Sequence, residues 1–349
     1  MNKALTQLEE FKEKVDRELR IFFDKRIAEV SDIDDSAKEM MRLLKEYTLR
    51  GGKRIRAAMI YYGYNCFKKN KEKELLKAAM CIELVQSFLL IHDDIIDCDD
   101  LRRGGLTLHK SYEKKYKDRH FGESMAIIAG DILSTLANQL LVYSGFNGKN
   151  KLNAISKLNQ VIHKVIYGQA LDIITGIKNN VKEKDVLNIH HLKTASYTVE
   201  GPLHIGALLA GAKKRDLDIL SDYGVRIGKA FQIQDDILGL FGDEKKLGKP
   251  IGSDIRQGKK TLLVLRALQN GNKQQKAFIK KCLGNTKIGL KDIERFRQIV
   301  KDTDSLTYSQ GLARNLIEMA KAKIENAKFR KEAKEFLLGI ADYMLERKF

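Results

Sequence analysis

The chain has 349 residues, of which 43% are hydrophobic and 32% are charged, so it can bury a sizeable core beneath a soluble surface. Its net charge of +18 suggests a nucleic-acid partner, but Lys and Arg are interleaved with Asp and Glu along nearly the whole chain, and it contains no zinc-finger, RRM or basic-zipper pattern. We therefore expect a solvated, lysine-rich surface and no nucleic-acid partner.

The cysteines and the N-terminal residues predict an intracellular protein. The cysteines at 66, 81, 98 and 282 show neither a CxxC pair nor a metal-ligand spacing, which is typical of reduced thiols. Residues 1–10 contain no apolar signal core, and the most apolar long run, 125–143, is interrupted by Asp131 and by two amides. These features predict a cytoplasmic protein with no membrane span.

Composition and hydrophobic spacing predict an all-α fold. Only two prolines occur, and long segments are rich in Leu, Ile, Ala, Lys and Glu. The predicted helices are 3–30, 36–49, a helix from the Gly51 turn to 67, 72–97, 123–143, 152–176, 183–212 with a break at Gly201-Pro202, 216–241, and four or five more within 261–348. Because no linker interrupts the chain, we expect a single domain, 1–349, with the C-terminal helices at 266–349.

A glycine-rich basic run, GGKRIR at 51–56, opens the third predicted helix. Its glycines allow the backbone to approach a ligand closely, and three cations in four residues at a helix N-terminus favour an anion. The run could equally be an ordinary glycine turn with solvated basic side chains.

A strongly apolar helix ends in five aspartates within eight positions, and two arginines follow. Asp93 and Asp97 are four residues apart, so they share one helix face. Two such carboxylates suit a divalent cation that keeps part of its water shell, and Arg102 and Arg103 suit a phosphate. Taken alone, the segment could equally be an acidic helix end on the surface.

A second apolar helix ends in paired aspartates, within FQIQDD at 231–236, and a loop rich in Gly and Lys follows at 248–261. Two aspartate clusters placed face to face across a cavity could hold several Mg²⁺ ions on a diphosphate. The apolar helix walls would then hold a hydrocarbon.

These motifs resemble those of the trans-isoprenyl diphosphate synthases, the polyprenyl synthetase family. The resemblance covers about 40–265 and is closest to short-chain, archaeal-type geranylgeranyl and farnesyl diphosphate synthases. It rests on DDIID at 93–97 with LRRG at 101–104, FQIQDD at 231–236, GKP at 248–250 with the run 254–259, GGKRIR at 51–56, Gly168-Gln169 and Lys193-Thr194.

The resemblance implies a helical bundle around a deep central cavity, usually a homodimer, that uses three Mg²⁺ per active site. Asp93, Asp97 and Asp235 would bind the metal, and Asp94 would support them. Arg102, Lys193 and Lys259 would bind the allylic diphosphate, with Lys249 nearby. The implied ligands of isopentenyl diphosphate are Lys53, Arg56, Arg103 and Gln86, the last at a position where the family usually has His. Thr194 and Gln232 would lie beside the allylic carbon.

The implied reaction condenses isopentenyl diphosphate head to tail with dimethylallyl, geranyl or farnesyl diphosphate, through Mg-assisted ionisation and a carbocation. By the same resemblance, Phe88 and Leu89 form the floor that limits product length. One aromatic residue there predicts mainly geranylgeranyl diphosphate, with farnesyl diphosphate as a close rival. An ideal helix nevertheless places Leu89 nearer the aspartate face than Phe88. Gly239 replaces the last aspartate of the family's second motif.

Two alternatives use the same helices without the same activity. A non-catalytic regulatory subunit of a hetero-oligomeric synthase has often lost aspartates or arginines that are present here. A terpene cyclase lacks a run such as GGKRIR, which serves a second diphosphate. We therefore expect an enzyme, and turnover by the chain on its own distinguishes it from a regulatory subunit.

Overall fold

The structure is a computed structural model that describes residues 3–178, 180–242 and 251–346. Helices make up nearly all of its regular structure, which confirms the predicted all-α class. The strands found among the described residues are two dipeptides, β1 (Leu101–Arg102) and β2 (Gly105–Leu106), which pair as an antiparallel hairpin.

The helices follow one another with short connections. The first group is α1 (Lys3–Glu29), α2 (Asp35–Leu49), α3 (Ile55–Asn65), α4 (Glu72–Ile96), α5 (Leu108–Tyr116), α6 (Arg119–Val142) and α7 (Gly148–Ile177). The next is α8 (Glu183–Ile189), a π-helix (His190–Glu200), α9 (Gly201–Leu209), α10 (Lys214–Phe241) and α11 (Ser253–Arg256). The last is α12 (Leu262–Asn270), α13 (Lys273–Cys282), α14 (Leu290–Asp302), α15 (Ser305–Glu325) and α16 (Lys331–Glu346).

The chain divides into two compact units. The first consists of Met1–Asn159, Pro202–Leu217 and Phe329–Phe336, and the second of Gln160–Gly201, Asp218–Lys328 and Leu337–Phe349. The single domain expected from the sequence stays a prediction, and we describe each unit by itself.

Helix α4 is the core of the first unit. It is apolar on most of its circumference up to Ile91, and α1, α2, α3 and α6 pack around it. A helix that is hydrophobic all round has to be buried. Its last turn emerges from this core, because Asp93 and Asp97 are only half-buried. The packing therefore brings the end of α4, and its aspartates, to the boundary of the core.

Two local features differ from the predicted elements. Between the predicted helices 72–97 and 123–143 the structure has a helix that was not predicted, α5, which buries Leu108, His109 and Tyr112. The predicted break at Gly201-Pro202 is a change from π-helix to α-helix, and the chain stays helical through it. Pro202 lies in the first turn of α9, where the missing N–H is tolerated.

Two helices, α4 and α6, are long and apolar enough by composition to cross a membrane. The core helices of soluble proteins pass the same test. In α4, 78% of the apolar window is buried inside the protein, as in a core helix, whereas in α6 the fraction is 39%. The exposed part of α6 includes Ile127 and Ile128.

Candidate active site

The GGKRIR loop (51–56) leads from α2 into α3, includes the first two residues of α3, and contains cations in different environments. Gly51 and Gly52 have φ of +69° and +97°, a conformation that glycine adopts without strain. Lys53 is exposed and Arg56 is half-buried, whereas Arg54 is buried with a left-handed backbone. The loop therefore exposes Lys53, keeps Arg56 half-buried and directs Arg54 inwards.

The β-hairpin brings Arg103 against this loop. Arg103 and Gly104 form its two-residue turn, both with positive φ, as a type I′ turn requires. Arg103 Nη1 donates to the carbonyl oxygens of Arg50 (3.0 Å) and Gly51 (3.1 Å). Arg103 is exposed overall, but desolvation of its guanidinium against the loop and the neighbouring charges of Arg54 and Arg56 lower its pKa. Such a concentration of positive charge would be relieved by an anion.

Asp93 and Asp97 lie one turn apart at the end of α4. Asp97 is the C-cap residue, and its N–H donates to the carbonyl of Asp93 (2.8 Å). Among residues 3–178, 180–242 and 251–346, no group of three or more His, Cys, Asp or Glu side chains is placed to hold a metal. Two carboxylates still suit Mg²⁺, which commonly keeps several waters and binds substrate phosphates.

Asp94 has a different environment from these two aspartates, because it is fully buried. Its carboxylate accepts hydrogen bonds from Tyr47 Oη (2.6 Å) and Arg102 Nε (2.6 Å), and Arg102 Nη2 contacts both Asp94 and Asp99 (2.8 Å). Burial raises the pKa of Asp94, and the Arg102 guanidinium and the Tyr47 hydroxyl oppose this shift. With these donors around it, Asp94 serves as an acceptor that fixes Arg102.

Gln86, Phe88 and Leu89 lie further back along α4. Gln86 is 8% exposed, and its Oε1 has no hydrogen-bond partner within the described residues. An unsatisfied buried amide is costly, and a half-turn about the Cγ–Cδ bond would present its NH₂ instead. Phe88 is buried edge-on against His92, with ring centroids 4.9 Å apart, and Leu89 is half-buried.

In the second unit, the π-helix carries Lys193 and Thr194. Lys193 Nζ donates to Asp172 Oδ2 of α7 (2.9 Å). A Cβ on Gly168 would lie 2.6 Å from the backbone nitrogen of Lys193, so only glycine allows α7 to approach this closely. The glycine inside α7 therefore serves close packing against the π-helix.

A chain of polar contacts links the π-helix to α10. Thr194 Oγ1 donates to Gln232 Oε1 (2.6 Å), and Gln232 Nε2 donates to Asp236 Oδ1 (2.8 Å). His190 Nε2 lies 3.2 Å from Asp236 Oδ2, and both side chains are buried. Asp235, next in sequence, is half-buried. Thr194 and Gln232 are therefore held in a fixed relative orientation.

An open cleft with an empty volume of about 550 Å³ lies within the second unit. Its polar lining includes Asp172, His190, Lys193, Thr194, Gln232, Asp236, Asp254, Lys259, Lys260 and Thr261. Lys259 Nζ is 3.6 Å from Asp254, and a Cβ on Gly239 would lie 3.0 Å from Asp254 Oδ2. Asp254 thus occupies the space beside the position where the family's last aspartate is missing.

Comparison with known proteins identifies the family. The polyprenyl synthetase family model matches residues 37–302, most of the chain. The chain belongs to the polyprenyl synthetase family. It is 38% identical to geranylgeranyl diphosphate synthase from Sulfolobus acidocaldarius over 75% of this chain and 77% of that protein. It is 35% identical to short chain isoprenyl diphosphate synthase from Methanocaldococcus jannaschii over 96% of this chain and 94% of that protein.

A solved structure from the polyprenyl synthetase family has the same fold. The geranylgeranyl pyrophosphate synthase of Corynebacterium glutamicum, complexed with isoprenyl diphosphate and magnesium, superposes with a TM-score of 0.92 at 32% identity. The similarity covers 97% of this chain and 99% of that chain. The predicted family and the predicted enzyme class, a prenyltransferase, are confirmed.

The predicted site residues are divided between the two units, and those of one unit are termed a cluster. The first cluster contains Lys53, Arg56, Gln86, Asp93, Asp94, Asp97, Arg102 and Arg103. The second cluster contains Lys193, Thr194, Gln232, Asp235 and Lys259. Lys249, with the GKP run at 248–250, lies outside the described residues. The individual roles of these residues stay predictions.

The structure also places at these sites several polar residues to which the sequence alone assigned no role. Tyr47 reaches Asp94 from α2, and Asp172, His190 and Asp254 line the cleft of the second unit. Asp172 and Asp254 could have been predicted from the sequence, because each lies within or beside a family motif. Tyr47 could not, since its partner is 47 residues away in the chain.

Proposed function

We propose that the chain is a geranylgeranyl diphosphate synthase, which condenses isopentenyl diphosphate with allylic diphosphates. The family match over 37–302 carries the reaction class. The proposed product rests on Phe88, the aromatic five residues before Asp93, and on the relative from Sulfolobus acidocaldarius. The allylic substrates would be dimethylallyl, geranyl and farnesyl diphosphate.

The proposed metal is Mg²⁺, three ions per active site, held by Asp93, Asp97 and Asp235. Carboxylates are ligands that Mg²⁺ prefers, and the remaining positions would be filled by water and diphosphate oxygens. When bound, Mg²⁺ offsets the charge that develops on the pyrophosphate leaving group. The half-burial of these three carboxylates leaves them accessible to such a ligand.

The cations of both clusters would bind diphosphates. Arg102, Lys193 and Lys259, with Lys249 nearby, would bind the allylic diphosphate, so positive charge is already in place when the carbon–oxygen bond breaks. The isopentenyl diphosphate would be held by Lys53, Arg56, Arg103 and Gln86. Asp94 would act by orienting Arg102, since its carboxylate is occupied by that guanidinium and by Tyr47.

Thr194 and Gln232 would face the allylic carbon. The Thr194 hydroxyl donates a hydrogen bond to Gln232, so the lone pairs of its oxygen can stabilise the allylic cation. The double bond of isopentenyl diphosphate attacks this cation, and a proton is then lost to the released pyrophosphate. Apolar walls exclude water that would otherwise quench the cation.

We further propose a cytoplasmic homodimer. Helix α6 exposes Phe121, Ile127, Ile128 and Val142, each more than a third exposed in the single chain. Exposed apolar patches of this kind mark interaction surfaces, and a second copy of the chain would cover this face of α6. Light scattering that gives the mass of one chain at micromolar concentration would contradict the dimer.

The reaction is tested by condensing labelled isopentenyl diphosphate with farnesyl diphosphate in the presence of Mg²⁺ or EDTA. We expect turnover only with Mg²⁺, and a loss of at least about a hundredfold in kcat for Asp93→Asn or Asp235→Asn, because each removes a charged metal ligand. Activity that persists in EDTA would contradict the proposal.

A further inference from the structure

Arg54 is a buried cation at the centre of the GGKRIR loop. Its side chain is 2% exposed, and its backbone is left-handed with φ of +55°. A residue with a Cβ adopts that conformation only when its surroundings impose it. The contacts of Arg54 therefore determine the shape of the loop that carries Lys53 and Arg56.

Three helices supply those contacts. Arg54 Nε donates to Asp16 Oδ1 of α1 (2.7 Å), Nη1 to Glu83 Oε2 of α4 (3.1 Å), and Nη2 to the carbonyl of Thr48 in α2 (2.8 Å). Glu83 Oε1 also accepts from the backbone N–H of Ala57 in α3 (3.2 Å). The loop is thus tied to each helix around it.

The carboxylates of Asp16 and Glu83 also offset the positive charge of Arg54. Burial lowers the pKa of Arg54, but Glu83 and Asp16 outweigh that effect, and the net shift is upwards. Glu83 also raises the pKa of Arg103, against burial and the cations around it. Without these carboxylates, Arg54 would be an uncompensated buried charge that repels its cationic neighbours.

We propose that Asp16, together with Glu83, is a positioning residue of the isopentenyl diphosphate site and acts through Arg54. This inference rests on the proposed function, which gives Lys53 and Arg56 to that substrate. Asp16 lies on α1, outside residues 37–302 that the family model matches, so no motif assigns it a role. The N-terminal helix becomes part of the substrate site.

The test compares Asp16→Asn with Asp24→Asn. Asp24 lies on the same helix and pairs with Lys45 of α2, but its side chain is 62% exposed and it does not contact the loop. Both substitutions remove one negative charge from α1 and keep the size and shape of the side chain. Calorimetric titration with isopentenyl diphosphate alone measures binding without turnover.

We expect Asp16→Asn to weaken isopentenyl diphosphate binding roughly three- to tenfold, the scale of one ordinary hydrogen bond, because Asp16 acts on the substrate only through Arg54. Its KM for farnesyl diphosphate should stay within about twofold of wild type. Glu83→Gln should act in the same direction, Asp16→Glu should restore part of the affinity, and Asp24→Asn should bind like wild type.

Equal binding by Asp16→Asn and Asp24→Asn, or an equal loss for both substrates, would overturn the inference and leave the proposed function intact. If Asp16→Asn does not fold, Glu83→Gln makes the same comparison. If wild type turns over farnesyl diphosphate but does not bind isopentenyl diphosphate alone, the positioning role is also overturned. Wild type without turnover would overturn the proposed function and this inference with it.

Discussion

The aspartates of the DDIID run have different surroundings. Asp93 and Asp97 are half-buried at the end of α4, whereas Asp94 is buried and bonded to Tyr47 and Arg102. Because helix positions four apart share a face and adjacent positions do not, one motif can supply both metal ligands and a support for an arginine. The neighbouring aspartates therefore have different expected effects when substituted.

Tyr47→Phe removes one donor from Asp94 and leaves the ring in place. Burial raises the pKa of Tyr47, so its hydroxyl stays a donor. We expect KM for farnesyl diphosphate to rise about fivefold, or about 1 kcal/mol, because Arg102 is held less firmly. Steady-state kinetics measures this, and Tyr143→Phe, whose side chain is exposed, is the control. A normal KM would exclude Tyr47 from positioning Arg102.

Phe88→Ala tests the floor of the hydrocarbon site. Phe88 is 7% exposed and packs on His92, which contacts the carbonyl of Ile127 in α6. Truncation leaves a cavity at a cost of about 3 kcal/mol, and a longer chain could occupy it. We expect the main product to gain at least one isoprene unit, by chromatography of the dephosphorylated products. An unchanged distribution would favour Leu89 as the floor.

At the scale of elements, the π-helix determines the placement of Lys193 and Thr194. Such helices are rare and occur often at functional sites. Here α7 packs directly on its backbone at Gly168, and Lys193 bonds Asp172 of that helix. The position of Lys193 therefore depends on the close approach of α7.

Gly168→Ala should displace the π-helix, because a Cβ at that position would lie 2.6 Å from the nitrogen of Lys193. We expect kcat/KM for farnesyl diphosphate to fall at least about tenfold, equivalent to about 1.4 kcal/mol. Gly176→Ala in the same helix meets nothing within 4 Å and should retain activity. Similar kinetics for both variants would show that the approach at Gly168 does not position Lys193.

The sequence predicted elements whose signals are local. The GGKRIR loop and the end of α4 follow from glycines, charges and an apolar run close together in the chain. Helix α5 was missed because four of its nine residues are charged and it buries few side chains. The π-helix packs against α7, a separate helix earlier in the chain. Asp16 and Tyr47 contact partners 38 and 47 residues away, so no local sequence pattern predicts their roles.

At the scale of the whole molecule, stability should depend on pH through His109. Burial and the nearby Lys110 lower the pKa of His109 below its ordinary 6.5. The unfolded chain then binds the proton more tightly, so the stability present above about pH 6.5 is lost as the pH falls through the folded-state pKa.

We expect the free energy of unfolding to fall below pH 6.5 with a contribution from His109 of at most about 1.4 kcal/mol per pH unit. Chemical denaturation at several pH values measures it. His109→Gln should show a weaker pH dependence than wild type, and His120→Gln, at an exposed position, should resemble wild type. Identical slopes in both variants would exclude His109 as the source.

Two further properties concern the whole molecule. One is the proposed homodimer, for which α6 exposes an apolar face, and the other is the net charge of +18. That charge favours the approach of anionic substrates and is screened by salt. Neither of these properties fixes the reaction class, which rests on the family match over 37–302.

The most direct test of the account is a product assay with the purified chain alone. It would be incubated with Mg²⁺, isopentenyl diphosphate and, separately, dimethylallyl, geranyl and farnesyl diphosphate, and the extracted products would be separated by chain length. The account predicts geranylgeranyl diphosphate as the main product from each starter. No turnover by the chain alone, as expected of a regulatory subunit, would contradict it.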